Sequence, residues 1–172
     1  CGKPIIQRTI ETARDSGVFD RIVVSTDDEE IARVAMAAGA EIPFMRDASL
    51  ADDYAGTKEV VRDALGQLRA EDSVAVCCLY PTAVLTQPAD LVTGKDLLVT
   101  SGTNWVLPVA RYNKPVQRAY QAAGDVIIPL FPDMMPRRSQ DLAETYFDAG
   151  QFYWAFAKTW LREDIQIWDA PK

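Results

Sequence analysis

The chain has 172 residues, of which 48% are hydrophobic, so it can form one domain with a sizeable core. Its net charge of -7 argues against general binding to nucleic acid or to anionic membranes. The sequence contains no histidine, which excludes Ser-His triads and imidazole acid–base chemistry.

The cysteines and the apolar runs bear on cellular location. Three cysteines, an odd number, do not suggest a disulfide framework. Cys77 and Cys78 are adjacent in an apolar run, so on a strand they point to opposite faces, and buried thiols in a reducing cytosol are expected. No apolar run approaches the roughly 20 residues that cross a bilayer, and no basic-then-apolar leader is present. We therefore expect a cytoplasmic protein with no membrane partner.

The first predicted elements alternate between helix and strand. Residues 4–16 are predicted to be helical because their apolar residues recur on one face. RIVVST at 21–26 is a β-branched run typical of a buried parallel strand. A second helix follows, capped by Asp27 or Asp28, and leads to a short edge strand at 40–44.

The same alternation continues to residue 110. A helix is predicted at 57–69, a second buried strand at 73–80, a helix at 88–99 and a third strand at 104–110. Strands alternating with helices predict an α/β core over 1–110, with a doubly wound, mostly parallel sheet. Ligands of such sheets bind beyond the carboxyl ends of the strands. The loops in that position follow Thr26, Phe44 and Tyr80.

The pattern changes after residue 110. Four prolines fall within 111–148, which predicts short strands and loops, and we interpret this segment as an excursion such as a hairpin arm. Residues 149–172 then return to the core as an apolar strand and a short helix. On that strand Gln151 and Tyr153 share one face and are ligand candidates, whereas Phe152 and Trp154 share the other face and are expected in the core.

Five stretches resemble the acylneuraminate cytidylyltransferase family. They are GKPIIQRTIETARDSGVFDRIVVSTDDEEIA, PFMRDASLADDYAGT, CCLYPTAVLTQPADL, RYNKPVQRAY and RSQDLAETYFDAGQFYW. The last three are similar to the subgroup that acts on pseudaminic acid. The resemblance implies a three-layer fold like that of nucleotide-diphospho-sugar transferases.

The resemblance also implies a reaction. CTP and a nine-carbon 2-keto sugar acid give the CMP-sugar and pyrophosphate, with Mg²⁺ assisting the leaving group. Such phosphoryl transfer rests mainly on positioning and charge stabilisation, which suits a sequence without histidine. Members of the family are usually dimers, so the resemblance also implies a homodimer formed through residues 111–148.

The matched motifs imply roles for individual residues, and a purely structural role is the alternative for these residues. The resemblance makes Arg46 and Thr57 nucleotide-binding, although Arg46 could be a solvated side chain and Thr57 a helix cap. No catalytic residue and no metal ligand is assigned. The sugar-binding candidates are Tyr80, Gln117, Arg138, Ser139, Gln140, Asp141, Gln151 and Tyr153. The structural alternative for Tyr80 is packing at a strand end, that for Gln117 is the polar face of an exposed hairpin, and that for residues 138–141 is a solvated turn.

Two family segments have no counterpart in the sequence. The first central strand with its basic, glycine-rich phosphate loop is expected before Cys1, and the metal-binding carboxylates are expected after Lys172. One interpretation is a fragment of an intact cytidylyltransferase. Another is a truncated, non-catalytic binding or assembly module. A third keeps the chemistry but uses legionaminic or N-acetylneuraminic acid.

Overall fold

The computed structural model describes residues 2–52 and 54–169 and has a mixed α/β architecture. Five α-helices and six β-strands lie within these residues. The helices are α1 (Ile5–Ser16), α2 (Glu29–Ala37), α3 (Thr57–Leu68), α4 (Pro88–Ser101) and α5 (Ala157–Leu161). The strands are β1 (Ala75–Leu79), β2 (Val109–Arg111), β3 (Tyr120–Ala123), β4 (Val126–Pro129), β5 (Tyr146–Asp148) and β6 (Phe152–Phe156).

The chain divides into two compact units. The first unit contains the described residues up to Pro108 and from Gly150 onward, and the second contains Val109–Ala149. Helices α1 to α5 and strands β1 and β6 belong to the first unit, whereas strands β2 to β5 belong to the second.

The ends of the first two helices follow from local chemistry. Gly17 adopts a left-handed conformation with φ of 67°, and its N–H donates to the carbonyl of Arg14, so α1 ends there. The Asp28 carboxylate accepts hydrogen bonds from the N–H groups of Glu30 and Ile31, which caps α2. The sequence prediction of these helices is confirmed.

The segment 21–26 forms a single parallel bridge instead of the predicted strand. Val23 pairs with Glu41, whose N–H donates to Ile22 O at 2.8 Å and whose carbonyl accepts from Val24 N at 3.0 Å. The next donor in a parallel ladder would be residue 43, which is proline and has no N–H. The ladder therefore stops after one bridge.

Strand β1 pairs with β6 in antiparallel register, with Cys78 opposite Tyr153 and Cys77 opposite Trp154. The predicted strand at 104–110 contributes one further bridge, in which Val106 and Trp154 exchange two backbone hydrogen bonds. Proline at position 108 cannot donate to the next position of this ladder, which explains why the predicted strand is short.

Helices pack on both faces of the β1–β6 pair. The first core cluster lies on one face and the second on the other. Cys78 packs on the first and Cys77 on the second, as their alternation predicts. The first core cluster contains Leu65, Trp105, Tyr153, Ala155, Ala157 and Trp160. The second contains Leu91, Leu98, Val106, Phe152 and Trp154. Burial raises the pKa of the Cys78 thiol to about 12 and also raises the pKa of Cys77.

A third core cluster joins α1 and α2. It contains Ile10, Ala35, Ala38 and Ala40, with Ile22 and Val24 packed against it. The apolar side chains of segment 21–26 therefore take part in the core although their backbone forms only one bridge.

The second unit contains two antiparallel strand pairs, β2 with β5 and β3 with β4. The β3–β4 hairpin is exposed along nearly its whole length. Its two strands meet at Ala123 and Val126, with Gly124 in a left-handed conformation at the turn (φ 63°).

The α/β class predicted from the sequence is confirmed. The three named sheets of the described residues are two-stranded and antiparallel, and parallel pairing is limited to the bridge between Val23 and Glu41. The mostly parallel three-layer sheet thus stays a prediction. No helix among the described residues is long and apolar enough to cross a membrane.

Candidate functional site

Thr57 and Tyr80 come together at the carboxyl end of β1. Thr57 is the first residue of α3, whose N-cap is Gly56, and its hydroxyl forms a 2.5 Å hydrogen bond with the hydroxyl of Tyr80. The Tyr80 ring meets the Tyr153 ring nearly at right angles, with 5.7 Å between centroids. A nucleotide candidate and two sugar candidates thus form one connected group.

Tyr153 is also part of the core. Its side chain is 6% exposed and belongs to the first core cluster. The edge-to-face contact with Tyr80 is an arrangement that stabilises aromatic pairs. Tyr153 therefore reaches the site through its packing on Tyr80, and a direct role toward a sugar stays a prediction.

Gln151 is bonded to the same region through its backbone and its side chain. Its carbonyl accepts a hydrogen bond from the Tyr80 N–H at 3.0 Å. Its side-chain Oε1 accepts from the hydroxyl of Thr86 at 2.5 Å. Thr86 is 2% exposed, so this contact is formed inside the protein.

The loop that carries Thr86 is held by hydrogen bonds at several points. The hydroxyl of Thr9, on α1, donates to Pro81 O at 2.8 Å. The N–H of Ala83 donates to Tyr80 O at 3.0 Å, and the N–H of Thr86 donates to Ala83 O at 3.2 Å. The loop after β1 is thus anchored to a helix and folded on itself.

Arg46 lies beside the segment that ends at Thr26. Its N–H donates to Thr26 O at 2.9 Å, and its Nη2 pairs with Asp27 Oδ1 at 3.1 Å. This hydrogen bond and the charge of Arg46 lower the pKa of the Asp27 carboxyl. Arg46 Nε is buried without a hydrogen-bond partner among the described residues, as is the Ser25 hydroxyl. A buried guanidinium donor without a partner is a group that a ligand can satisfy.

The remaining sugar candidates belong to the second unit. Ser139, Gln140 and Asp141 form a single 3₁₀ turn, and Arg138 Nε pairs with Asp141 Oδ2 at 3.0 Å. All four side chains are exposed. The Arg138–Asp141 ion pair is therefore weak by itself and leaves both groups accessible.

Gln117 makes a contact within the same unit. Its Nε2 donates to Ala143 O at 3.1 Å, whereas its Oε1 is buried without a partner among the described residues. The neighbouring Arg118 donates to Arg137 O, which ties the 3₁₀ turn at Val116–Arg118 to the chain before Arg138.

Comparisons with known proteins identify the family. The family model described as cytidylyltransferase matches residues 1–117. The chain belongs to the cytidylyltransferase family. Members of this family activate sugar acids with CTP, so the chain is a CTP-dependent nucleotidyltransferase by descent, and the resemblance drawn from its motifs is confirmed.

Three relatives of this chain are named for three different sugar acids. The pseudaminic acid cytidylyltransferase of Campylobacter jejuni subsp. jejuni serotype O:2 is 39% identical over 167 residues, which cover 95% of this chain and 72% of the relative. The N-acylneuraminate cytidylyltransferase A of Danio rerio is 32% identical over 90% of this chain and 36% of its own length. The CMP-N,N'-diacetyllegionaminic acid synthase of Legionella pneumophila is 32% identical over 77% of this chain and 59% of its own length.

Within this cytidylyltransferase the structure connects Thr57, Tyr80, Tyr153 and Gln151, while Arg46 is bonded to Thr26 and Asp27. The suggested cap role of Thr57 is wrong, because Gly56 is the N-cap and the Thr57 hydroxyl bonds Tyr80 instead.

Two residues that take part in these contacts were not predicted from the sequence. They are Thr86 and, as the ion-pair partner of Arg46, Asp27. Both lie in loops that follow the predicted strands, so their position beyond a predicted strand end was the available signal. Periodicity could not identify their partners, which lie 65 and 19 residues away in the chain.

Proposed function

We propose that this chain transfers a cytidylyl group from CTP to pseudaminic acid, a nine-carbon 2-keto sugar acid, giving the CMP-sugar and pyrophosphate. The observation that carries the proposal is the 39% identity over 95% of the chain to a protein named pseudaminic acid cytidylyltransferase. The hydrogen bond between Thr57 and Tyr80 supports it, because it places a nucleotide candidate next to a sugar candidate.

In the proposed reaction the anomeric hydroxyl of the sugar attacks the α-phosphorus of CTP, and pyrophosphate leaves. The protein's contribution is to hold the two substrates in line and to stabilise negative charge. Arg46 suits the nucleotide, because its planar guanidinium can donate to a base or a phosphate and its Nε has no protein partner among the described residues. Thr57 would add a hydroxyl on the same substrate.

Each unit carries its own sugar-binding candidates. In the first unit these are Tyr80, Gln151 and Tyr153; in the second unit, Gln117, Ser139 and Gln140 offer hydroxyl and amide groups. Arg138 would pair with the sugar carboxylate, since two parallel N–H donors match a carboxylate well. Its present partner Asp141 is exposed and exchangeable. No residue is assigned as the general base.

Mg²⁺ is the cofactor that the family resemblance implies. Within residues 2–52 and 54–169, no three His, Cys, Asp or Glu side chains lie close enough together to hold a metal ion. Mg²⁺ is usually bound through one or two carboxylates together with the phosphates of a substrate, and it would stabilise the charge on the leaving pyrophosphate. No step of the proposed reaction is assigned to a metal.

A pyrophosphate-release assay tests the proposed activity. The protein is supplied with CTP, Mg²⁺ and one of three acids: pseudaminic, legionaminic or N-acetylneuraminic. We expect turnover that is fastest with pseudaminic acid. Preference for another acid would replace the substrate, an alternative favoured by the relatives at 32% identity. Absence of turnover with all three would refute catalysis by this chain and favour a non-catalytic binding or assembly module.

For the fold we propose a three-layer, doubly wound and mostly parallel sheet. Three observations support it: membership of the cytidylyltransferase family, the parallel bridge between Val23 and Glu41, and helices on both faces of β1 and β6. A crystal structure in which segment 21–26 runs antiparallel to its neighbours would contradict this proposal.

We further propose a homodimer formed through residues 111–148. The β3–β4 hairpin exposes large apolar side chains, with Val126 at 62% and Ile127 at 67% exposure. Contiguous exposed apolar surface commonly marks an interface. Light scattering at tens of micromolar should give twice the chain mass. Val126→Asp should give the monomer, while Val99→Asp, at a valine of similar exposure on α4, should leave the dimer intact. A monomeric wild type would refute the dimer.

The proposed location is the cytoplasm. Cys77 and Cys78 are free thiols on adjacent positions of β1, and a reducing compartment keeps such thiols unpaired. Cell fractionation that recovers the protein outside the cytoplasmic fraction would contradict this location.

A further inference from the structure

The contact between Thr86 and Gln151 determines which end of the Gln151 amide is available. The Thr86 hydroxyl donates to Oε1 at 2.5 Å, so the oxygen end is engaged by a side chain that is 2% exposed. Nε2 has no hydrogen-bond partner among the described residues, and Gln151 itself is half-buried. The group left for a ligand is therefore a donor, the side-chain NH₂.

Thr86 is fixed before any ligand binds. Its own N–H is bonded to Ala83 O, Ala83 is 3% exposed, and the preceding turn is anchored by Thr9 through Pro81 O. A side chain held by a rigid supporting residue binds its ligand at lower entropic cost than one that must first be ordered. The loop after β1 thus provides a rigid support for Gln151.

We propose that Thr86 is a positioning residue for sugar recognition. By bonding Oε1 it holds Gln151 with Nε2 as the free donor, and Nε2 donates to a carbonyl-type oxygen of the sugar acid, either its carboxylate or an N-acyl carbonyl. This inference rests on the proposed function, because it assigns the sugar to the side of the site that Gln151 occupies. Thr86 itself does not touch the substrate.

The main test compares KM values for the two substrates in the pyrophosphate-release assay. Thr86→Val removes the hydroxyl and keeps the β-branched shape. Freeing one side chain from its support should raise the KM for the sugar acid by roughly 2- to 10-fold, while the KM for CTP stays unchanged. Thr86→Ser restores a hydroxyl donor and should return the KM for the sugar acid toward the wild-type value.

A matched control and a second variant separate positioning from folding. Thr93→Val removes the hydroxyl of an exposed threonine on α4 that bonds Ala89 O, and it should change neither KM. Gln151→Glu can still accept from Thr86 but presents an acceptor in place of the NH₂ donor. It should raise the KM for the sugar acid by about 10-fold or more.

The two possible sugar groups are distinguished with a nonulosonic acid whose N-acyl groups are replaced by hydroxyls. If the effect of Thr86→Val persists with this analogue, the carboxylate is the partner of Gln151. If the effect is confined to the N-acylated sugar, the acyl carbonyl is the partner. Either pattern supports a donor role for Gln151.

The outcomes separate this inference from the proposed function. Turnover by the wild type with unchanged KM values in Thr86→Val and Gln151→Glu would overturn the inference and leave the proposed function standing. Equal increases of both KM values in Thr86→Val, without rescue by Thr86→Ser, would identify a structural role and also overturn it. Absence of wild-type turnover would overturn the proposed function, and the inference with it.

Discussion

A tight contact between α4 and β6 yields a prediction about Gly94. A Cβ added at this position would lie 2.7 Å from Trp154 Cδ1 and 2.9 Å from Trp154 Nε1. Carbon atoms in contact normally lie about 3.5–4.0 Å apart, so about 1 Å of movement is needed. Trp154 is fully buried and stacked on Phe19 with 5.2 Å between ring centroids, so it has little room to move.

Gly66 is a matched control for the substitution. It lies near the end of α3, and a Cβ there would meet nothing within 4 Å. Replacing glycine by alanine within a helix is worth roughly 0.5–1 kcal/mol in favour of alanine, and this term applies at both positions. Gly66→Ala should therefore stabilise the protein by that amount.

Overpacking decides the effect at Gly94. Inserting a methyl group into a filled core typically costs about 1–3 kcal/mol. The helix preference for alanine over glycine is the same in both variants and cancels when they are compared. Gly66→Ala should thus be more stable than Gly94→Ala by about 1–3 kcal/mol. Gly94→Ala by itself should be destabilised relative to the wild type, by roughly 1 kcal/mol.

Urea unfolding followed by tryptophan fluorescence measures this difference. Trp105, Trp154 and Trp160 are all fully buried in the first unit, so the signal reports the unit that contains both glycines. The midpoints should move in opposite directions at an unchanged denaturant slope. If both variants raise the midpoint equally, the close contact between α4 and Trp154 is refuted.

Three further predictions concern charge, thiol reactivity and packing. Because Arg46 lowers the pKa of Asp27, the ionised carboxylate stabilises the folded state above the ordinary aspartate pKa near 3.8 and this contribution is lost as pH falls through the lowered value. Urea midpoints should therefore show Asp27→Asn less stable than the wild type at pH 7, with the gap closing in acid; a pH-independent gap would contradict the ion pair. Cys77 and Cys78 should resist iodoacetamide at pH 8 until the protein is unfolded, because burial raises their pKa values, and rapid labelling of the native protein detected by mass spectrometry would disprove this. Leu98→Ala, at a position 1% exposed in the second core cluster, should cost about 2–5 kcal/mol in urea unfolding, and a loss below this range would show that the cluster can collapse around the cavity.

Local sequence signals predicted the helices well. The apolar spacing of α1, the Asp28 cap of α2 and the Pro88 start of α4 act over one or two turns, and each appears where the sequence places it. The strands were harder to predict, because their pairing depends on residues far apart. Two prolines, at 43 and 108, interrupt ladders whose partners could not be known from the local pattern.

The candidate site shows the same division between what local sequence predicts and what contacts between distant residues decide. The motifs by themselves determined the family, and the strand ends predicted that Tyr80 lies at the edge where sheets of this kind bind ligands. The tertiary structure alone decided that Tyr80 bonds Thr57, that Thr86 engages Gln151 and that Arg46 pairs with Asp27. Helix caps and apolar periods are properties of neighbouring residues, so a sequence carries them directly. Hydrogen bonds between distant side chains exist only after the chain has folded and brought those side chains within about 3 Å of each other.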